Sequence, residues 1–117
     1  MAAVPPATQS ANLNPPKQDA ISKATLSTMN GANGGPIWLA IKGHVFDVSS
    51  KPDMYGPGGG YSVFAGKDGS KGLGLGSLKP EDAVPDDGAL GPAEQKVLDD
   101  WLVFFQKRYN QVGLLTA

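Results

Sequence analysis

Two tyrosines flank a glycine loop, and this is the part of the sequence best suited to binding chemistry. Tyr55 and Tyr61 stand on either side of Gly56-Pro57-Gly58-Gly59-Gly60. Because glycine has no Cβ, such a loop lets the backbone approach a flat ligand closely. A phenol has a pKa of about 10, but a metal cation at bonding distance stabilises the phenolate as a ligand. The segment therefore predicts a ligand site, with a simple packed ring as the structural alternative for each tyrosine.

The composition excludes several other kinds of site. The chain of 117 residues has no cysteine, which rules out disulfides, thiolate zinc sites, iron–sulfur clusters and cysteine nucleophiles. The net charge of -1, without a basic cluster, argues against nucleic-acid binding. The glycine loop also lacks the Gly-Lys-Ser/Thr ending of a phosphate-binding loop.

The length fits a single small domain that follows a tail. Residues 1–18 contain two Pro-Pro pairs among small polar residues and show no periodic apolar face, which predicts a disordered tail before a domain at residues 19–117. No apolar run is long enough to span a bilayer, so we expect no transmembrane segment. We expect a soluble, cytoplasmic chain, with peripheral association with the endoplasmic reticulum membrane left open.

The elements before the loop are predicted to be short. Ser22 is placed to cap a helix of about two turns that ends at Asn30-Gly31. The apolar runs at 36–41 and 45–48 predict a β-hairpin that bends near Gly43. This hairpin leads the chain into the loop.

After the loop, one long helix has the strongest periodicity. It is predicted to start at Pro92, since proline is favoured at the first helical position, and to end near the basic pair Lys107-Arg108. Its apolar stripe is expected to cover the core; it comprises Val97, Leu98, Trp101, Leu102, Phe104 and Phe105. Short helical turns are predicted at 62–64 and within 67–78, and no element is assigned to 112–115. The fold class is therefore α+β, a small sheet with short helices around a ligand cleft.

The loop and the hairpin resemble the membrane-associated progesterone receptor family, which has the cytochrome b5-like haem/steroid-binding fold. The resemblance rests on residues 37–48, on the loop at 55–68 and on residues 108–113, and it covers about residues 21–115. It implies a cleft for haem b, with Tyr61 as the iron ligand. Electron carriers of the cytochrome b5 type need two histidine ligands, whereas this chain has only His44, which we expect at the surface of the hairpin turn.

The resemblance also implies the other roles in the site. Tyr55 is expected to donate a hydrogen bond to the ligating oxygen or to a propionate. Arg108 and Tyr109 match a Lys-Tyr pair that supports the ligand, and the Arg108 guanidinium suits a propionate.

Glycines are expected to shape the wall of the cleft. Gly58 and Gly59 would form a surface that a ligand approaches closely, together with Gly60. Gly60, Gly69 and the glycines at 72–76 stand where relatives carry larger side chains, so we expect an enlarged cleft.

The resemblance implies a haem-binding protein that acts as an accessory to cytochrome P450 enzymes or in haem handling. Two alternatives stay open. One is a haem-dependent enzyme that acts on a small molecule in a biosynthetic pathway, and the other is a haem-free binder of steroid-like or other apolar ligands. The implied partners are haem, a cytochrome P450 and a second copy of the chain in a haem-mediated homodimer.

Overall fold

A computed structural model of the chain describes residues 13–85 and 88–116. Within them a four-stranded sheet has the order β1-β4-β3-β2. The strands are β1 (Ala20–Ile21), β2 (Trp38–Ile41), β3 (His44–Asp47) and β4 (Asn110–Leu115). β1 pairs with β4 in parallel, and the other two pairs are antiparallel.

Helices surround this sheet. They are α1 (Lys23–Ser27), α2 (Pro52–Tyr55), α3 (Ser70–Leu75) and α4 (Pro92–Arg108), with 3-10 turns at Ala32–Gly34, Ser62–Phe64 and Pro80–Asp82. The predicted α+β class is confirmed. The Ser22 cap is also confirmed, because its hydroxyl accepts a hydrogen bond from the Thr25 amide at 3.1 Å. None of the helices in the described ranges is long and apolar enough to cross a membrane.

The predicted hairpin is confirmed, and side chains from outside the hairpin accept hydrogen bonds from the amides of its turn. Lys42 and Gly43 both have positive φ (50° and 80°), as a two-residue type I′ turn requires. The Lys42 amide donates to Ser70 Oγ at 2.8 Å, and the Gly43 amide donates to Asp68 Oδ2 at 3.0 Å. Asp68 is itself buried and accepts from the Ser70 amide, so it fastens the start of α3 to the hairpin.

β4 lies inside the sheet, although the sequence analysis assigned no element to residues 112–115. It pairs with both β1 and β3, and Gly113 lies opposite Val45. A Cβ on Gly113 would press on the Asp19 carbonyl oxygen and on the Ile21 side chain. The glycine that weakens the strand pattern is therefore the residue that lets β1 approach.

The two faces of the sheet carry two apolar clusters. Because side chains alternate along a strand, Val45 belongs to a small cluster with Leu26, whereas Phe46 belongs to the main core. α4 starts at Pro92 as predicted and covers the main core with most of the predicted stripe. Its buried residues are Leu98, Trp101, Phe104 and Phe105. Val97 departs from the prediction and is 37% exposed.

The glycines in and before α3 tighten the packing, and the prediction that they enlarge the cleft is wrong. A Cβ on Gly74 would collide with the Leu90 side chain, and one on Gly69 would collide with the Phe64 ring. A Cβ on Gly72 would lie 3.0 Å from the Asp82 carbonyl oxygen. Neighbouring atoms fill the space that these glycines leave.

The segment before β1 runs beside β4. The Lys17 amide donates to the Gln111 carbonyl at 3.1 Å, the Gln111 side-chain amide donates to the Lys17 carbonyl at 2.8 Å, and the Asn14 amide donates to Asn110 Oδ1 at 2.8 Å. Residues 1–12 of the predicted tail lie outside the described residues. The boundary between tail and domain stays a prediction.

Candidate functional site

The three tyrosines of the chain meet in one cluster. Tyr55 is the last residue of α2, Tyr61 precedes the 3-10 turn at Ser62–Phe64, and Tyr109 directly follows α4. The Tyr55 ring centroid lies 6.0 Å from that of Tyr61 and 6.2 Å from that of Tyr109. The fold thus brings the two loop tyrosines together with a third from the end of the long helix.

A narrow apolar cleft opens beside this cluster. Its cavity volume is only about 10 Å³, and the empty space counted out into the open mouth is about 230 Å³. Two of the tyrosines and five apolar or aromatic residues line it, namely Tyr55, Tyr61, Leu39, Phe64, Leu73, Trp101 and Phe105. No lining side chain carries a formal charge. The polar side-chain atoms of the lining are two phenol oxygens and one indole nitrogen.

Tyr55 is held as a neutral phenol. Its side chain is 4% exposed, and burial raises its pKa well above the ordinary value, with contributions from the nearby Tyr109 and Tyr61 oxygens. A hydrogen bond between Tyr55 and Tyr109 raises the pKa of Tyr55 further and counteracts the rise that burial causes in the pKa of Tyr109. The two hydroxyls are therefore hydrogen-bonded partners inside the protein. The expected hydrogen bond from Tyr55 to a ligand stays a prediction.

Tyr61 is the partly exposed phenol of the three, whereas Tyr55 and Tyr109 are buried. Its backbone amide donates to the Met54 carbonyl at 2.8 Å, which closes the glycine loop. This bond fixes the Tyr61 backbone to the end of α2. The partly exposed tyrosine is therefore joined through its backbone to the short helix that bears Tyr55.

The glycines of the loop divide into two kinds. A Cβ on Gly59 would come closer than 3.0 Å to backbone atoms of Met54 and Asp53, so its missing side chain serves the loop itself. A Cβ on Gly58 or Gly60 would meet nothing within 4 Å. Gly58 has φ +82°, a conformation that favours glycine, whereas Gly60 has an ordinary backbone. The face toward an approaching molecule is thus open at Gly58 and Gly60.

Arg108 lies in the last turn of α4, next to Tyr109 in the chain. Its guanidinium carbon is 5.6 Å from the Phe104 ring centroid, a cation–π distance. Its charge also acts to lower the pKa of Tyr109, against the larger effect of burial. The predicted cation is therefore close to the tyrosine cluster, on the helix that bears Trp101.

His44 was expected at the surface of the hairpin turn, but it is a strand residue. It begins β3, is half-buried, and its Nδ1 lies 3.0 Å from Gln111 Oε1. Within residues 13–85 and 88–116, no group of three or more His, Cys, Asp or Glu could hold a metal ion. An oxygen ligand from a phenol stays the candidate for any metal at this site.

Trp101 also belongs to the site, although its helical spacing predicts only a buried position in the core. It lines the cleft and is 5% exposed, yet its Nε1–H has no hydrogen-bond partner among the described residues. Buried tryptophans usually find a partner for this group. Helical periodicity predicts that Trp101 is buried, but only the folded arrangement shows that its donor is unsatisfied.

The family model and the individual relatives that resemble this chain agree with one another. Residues 22–108 match the family model described as the cytochrome b5-like heme/steroid binding domain. Membrane steroid-binding protein 1 of Oryza sativa is 41% identical over 103 residues, which cover 86% of this chain and 44% of that protein. The cytochrome P450 regulator dap1 of Schizosaccharomyces pombe is 39% identical over 102 residues, which cover 80% of this chain and 61% of that protein.

A solved structure supports the same relation. An Arabidopsis thaliana protein described as having a cytochrome b5 like fold is 40% identical and superposes with a TM-score of 0.77, covering 86% of this chain and 93% of that chain. The chain therefore spans nearly all of this solved domain. It spans 44% and 61% of the two curated relatives.

Proposed function

The chain belongs to the cytochrome b5-like heme/steroid binding domain family, and on this premise we propose that it binds ferric haem b through the Tyr61 phenolate and acts as an accessory to cytochrome P450 enzymes or in haem handling. The resemblance to the membrane-associated progesterone receptor family and the cytochrome b5-like fold are confirmed. The observation that carries the proposal is the cluster of three phenols in which Tyr61 alone is partly exposed. A metal cation that approaches the cluster from outside meets this oxygen first.

The residues of the cleft fit such a group. The cleft offers aromatic and aliphatic walls to a flat apolar ring, and it contains an unsatisfied donor on Trp101 that no described protein atom uses. Its cavity volume of about 10 Å³ is far below the roughly 300–1,000 Å³ usual for ligand pockets. A large flat ligand would therefore lie across the outside of the cleft, or the lining side chains would have to move apart to admit it.

The two loop tyrosines have different proposed roles because they differ in burial. Tyr55 keeps its proton because burial raises its pKa, so it acts as a donor and does not compete as an anionic ligand. Ferric haem, when bound, supplies the positive charge that stabilises the phenolate form of Tyr61. The Arg108 guanidinium, which lies next to the cluster, can pair with a carboxylate at the mouth.

The relatives favour the biological role. The cytochrome P450 regulator dap1 supports a link of this chain to P450 enzymes. A haem-free apolar ligand is the second candidate, because the cleft is narrow and uncharged and because a relative is named as a membrane steroid-binding protein. Both candidates use the same cleft, and only the first needs Tyr61 as a ligand.

A hemin titration of the full chain tests the proposal. The wild type should show the phenolate-to-iron absorption of a tyrosinate complex, and Tyr61→Phe should lose it. Tyr55→Phe is the matched control, since it removes the same hydroxyl from the neighbouring ring. It should keep the absorption band and lower hemin affinity by at most about 10–100-fold, as removal of a supporting group does.

Survival of the band in Tyr61→Phe would rule out Tyr61 as the ligand. Failure of the folded wild type to bind hemin would reject haem binding itself and leave the haem-free candidate. Equal loss of the band in both variants would mean that the tyrosines act together and that the separation of roles by burial is wrong.

A further inference from the structure

We infer that a second cavity, which lies beside the small apolar cluster and shares no lining residue with the tyrosine cleft, binds a short aliphatic carboxylate. Its hydrocarbon floor takes the chain of such a molecule, and two lysines at its rim pair with the carboxylate. The inference goes beyond the proposed function, because it concerns a separate site and a ligand of a different chemical class.

Four separate parts of the chain meet around this cavity. They are α1, the loop that precedes α3, the segment that follows the 3-10 turn at Pro80–Asp82, and the end of β4. The cavity volume is about 230 Å³, compared with about 10 Å³ for the tyrosine cleft. Pockets for drug-sized ligands usually measure roughly 300–1,000 Å³, so this cavity suits a somewhat smaller molecule.

Hydrocarbon forms the floor of the cavity. Leu26 is 2% exposed and Ala83 is 4% exposed, and Leu115 packs against the same small cluster to which Leu26 belongs. The Ser27 hydroxyl also lines the cavity, but it donates to the Ala24 carbonyl at 2.7 Å and is therefore already used. A ligand gains affinity on this floor by burying methylene groups, at about fourfold for each one that is fully buried.

The rim of the cavity carries an excess of positive charge. Lys23 and Lys67 line it, both are exposed, and neither takes part in the ion pairs found among the described residues. Asp68 is the acidic residue of the described lining, and both of its oxygens are engaged. Oδ2 accepts from the Gly43 amide at 3.0 Å, and Oδ1 accepts from the Ser70 amide at 3.0 Å and from the Ser70 hydroxyl at 2.6 Å. Two unpaired cations thus stand against one carboxylate that is already satisfied.

A hydrocarbon floor under two ammonium groups is complementary to an amphiphilic anion. A cation would be repelled by the lysines, and a neutral molecule would leave both of them unpaired. A carboxylate has enough acceptor positions to receive hydrogen bonds from both lysines. The small volume favours one unbranched chain over a ring system, so the ligand class is a short aliphatic carboxylate.

Octanoate and octanamide are suitable probes, because they share a chain and a carbonyl group and differ in charge. In the ¹⁵N-labelled full chain, octanoate should produce saturable shifts of the Ser27, Gly66 and Lys67 amide signals and leave those of Gly58 and Gly60 in place. Octanamide should bind about tenfold more weakly, since two exposed ion pairs are lost. Acetate has the charge without the chain and should cause no shift at the same concentrations.

Variants separate the contribution of the rim from that of the floor. Lys23→Gln and Lys67→Gln should each weaken octanoate binding about two- to fivefold, and the double variant should bind octanoate no better than octanamide. Lys107→Gln is the matched control, because Lys107 is exposed on α4 and does not line the cavity. Ser27→Trp places a large side chain at an exposed lining position and should abolish binding of both probes while hemin binding is kept.

Five results would overturn the inference. They are no saturable shift below about 10 mM octanoate, shifts confined to the tyrosine loop, equal affinity for octanoate and octanamide, full octanoate affinity in the double lysine variant, and full octanoate affinity in a folded Ser27→Trp. Reporter signals that move on dilution, or on deletion of residues 1–12, without octanoate would show a second copy or the chain's own segment in the cavity and would also overturn it. If Ser27→Trp does not fold, the lysine variants and the shift map decide. All of these readouts are independent of hemin, so failure of haem binding leaves this inference standing.

Discussion

Two adjacent glycines of the tyrosine loop should respond in opposite ways to the same substitution. In Gly59→Ala the new Cβ would come closer than 3.0 Å to the Met54 carbonyl group and the Asp53 carbonyl oxygen. These are backbone atoms of α2 and cannot turn aside as a flexible side chain would. In Gly60→Ala the new Cβ meets nothing within 4 Å, and the φ angle suits any residue. The first change should therefore strain the loop, and the second should not.

The size of the difference follows from these contacts. Overpacking costs about 1–3 kcal/mol in proteins, and the rigid backbone partners of Gly59 place its cost near the upper end. Gly60→Ala should instead stabilise the protein by about 0.4–1 kcal/mol, because alanine restricts the unfolded chain. The free energies of unfolding should thus differ by about 3 kcal/mol between the two variants. In a domain of this size the melting temperatures should differ by on the order of 10 °C or more.

Gly59→Ala should also change the ligand site. The Met54 carbonyl that a Cβ on Gly59 would push also accepts the Tyr61 amide at 2.8 Å. Gly59→Ala should therefore displace Tyr61 and weaken hemin binding, whereas Gly60→Ala should keep it. Urea denaturation measures the stability of each variant, and a hemin titration at a temperature where both are folded measures the site. Equal stability of the two variants, or the lower stability in Gly60→Ala, would refute the reasoning.

Three other regions give further tests. Burial raises the pKa of Tyr55, so the unfolded chain loses this proton at a lower pH than the folded chain does, and the free energy of unfolding should fall above about pH 10. Tyr55→Phe should flatten that fall in urea denaturations across the alkaline range. An unchanged dependence on pH would contradict Tyr55 as its origin. Gly113→Ala should cost about 1–3 kcal/mol through contact with the Asp19 carbonyl and the Ile21 side chain, and wild-type stability would show that β1 is not packed there. Deletion of residues 1–18 removes the three hydrogen bonds to β4 that residues 13–18 make. The unfolding free energy should therefore fall by only about 1–2 kcal/mol with hemin affinity unchanged, and a collapse of either would show that the segment belongs to the core.

Local signals predicted the elements whose determinants lie within a few residues. Pro92 and the apolar spacing that follows it specify α4, and Lys42-Gly43 specifies the turn of the hairpin. β4 was missed because its pairing is long-range: Leu114 pairs with Ala20. Gly113 also lowers its apparent strand propensity, and nothing near it in the chain shows that a close approach of β1 requires glycine.

For the site, too, the local signals were predictable and the long-range contacts were not. The loop motif predicted that Tyr55 and Tyr61 share a site, but the sequence could not show that Tyr55 is hydrogen-bonded to Tyr109. Gly59 and Gly60 look alike in the sequence, yet the fold fills the space at one and leaves it open at the other. Such distinctions depend on which atoms of distant residues approach, and a pattern of residue types does not contain them.

The three phenols illustrate how burial alone can divide chemically identical groups. Burial raises the pKa of Tyr55 and of Tyr109, and the two hydroxyls are hydrogen-bonded to each other inside the protein. Tyr61, held by its backbone at the open end of the loop, is left to meet an external charge. Position in the fold, and not residue type, therefore decides which of the three phenols can meet an external charge.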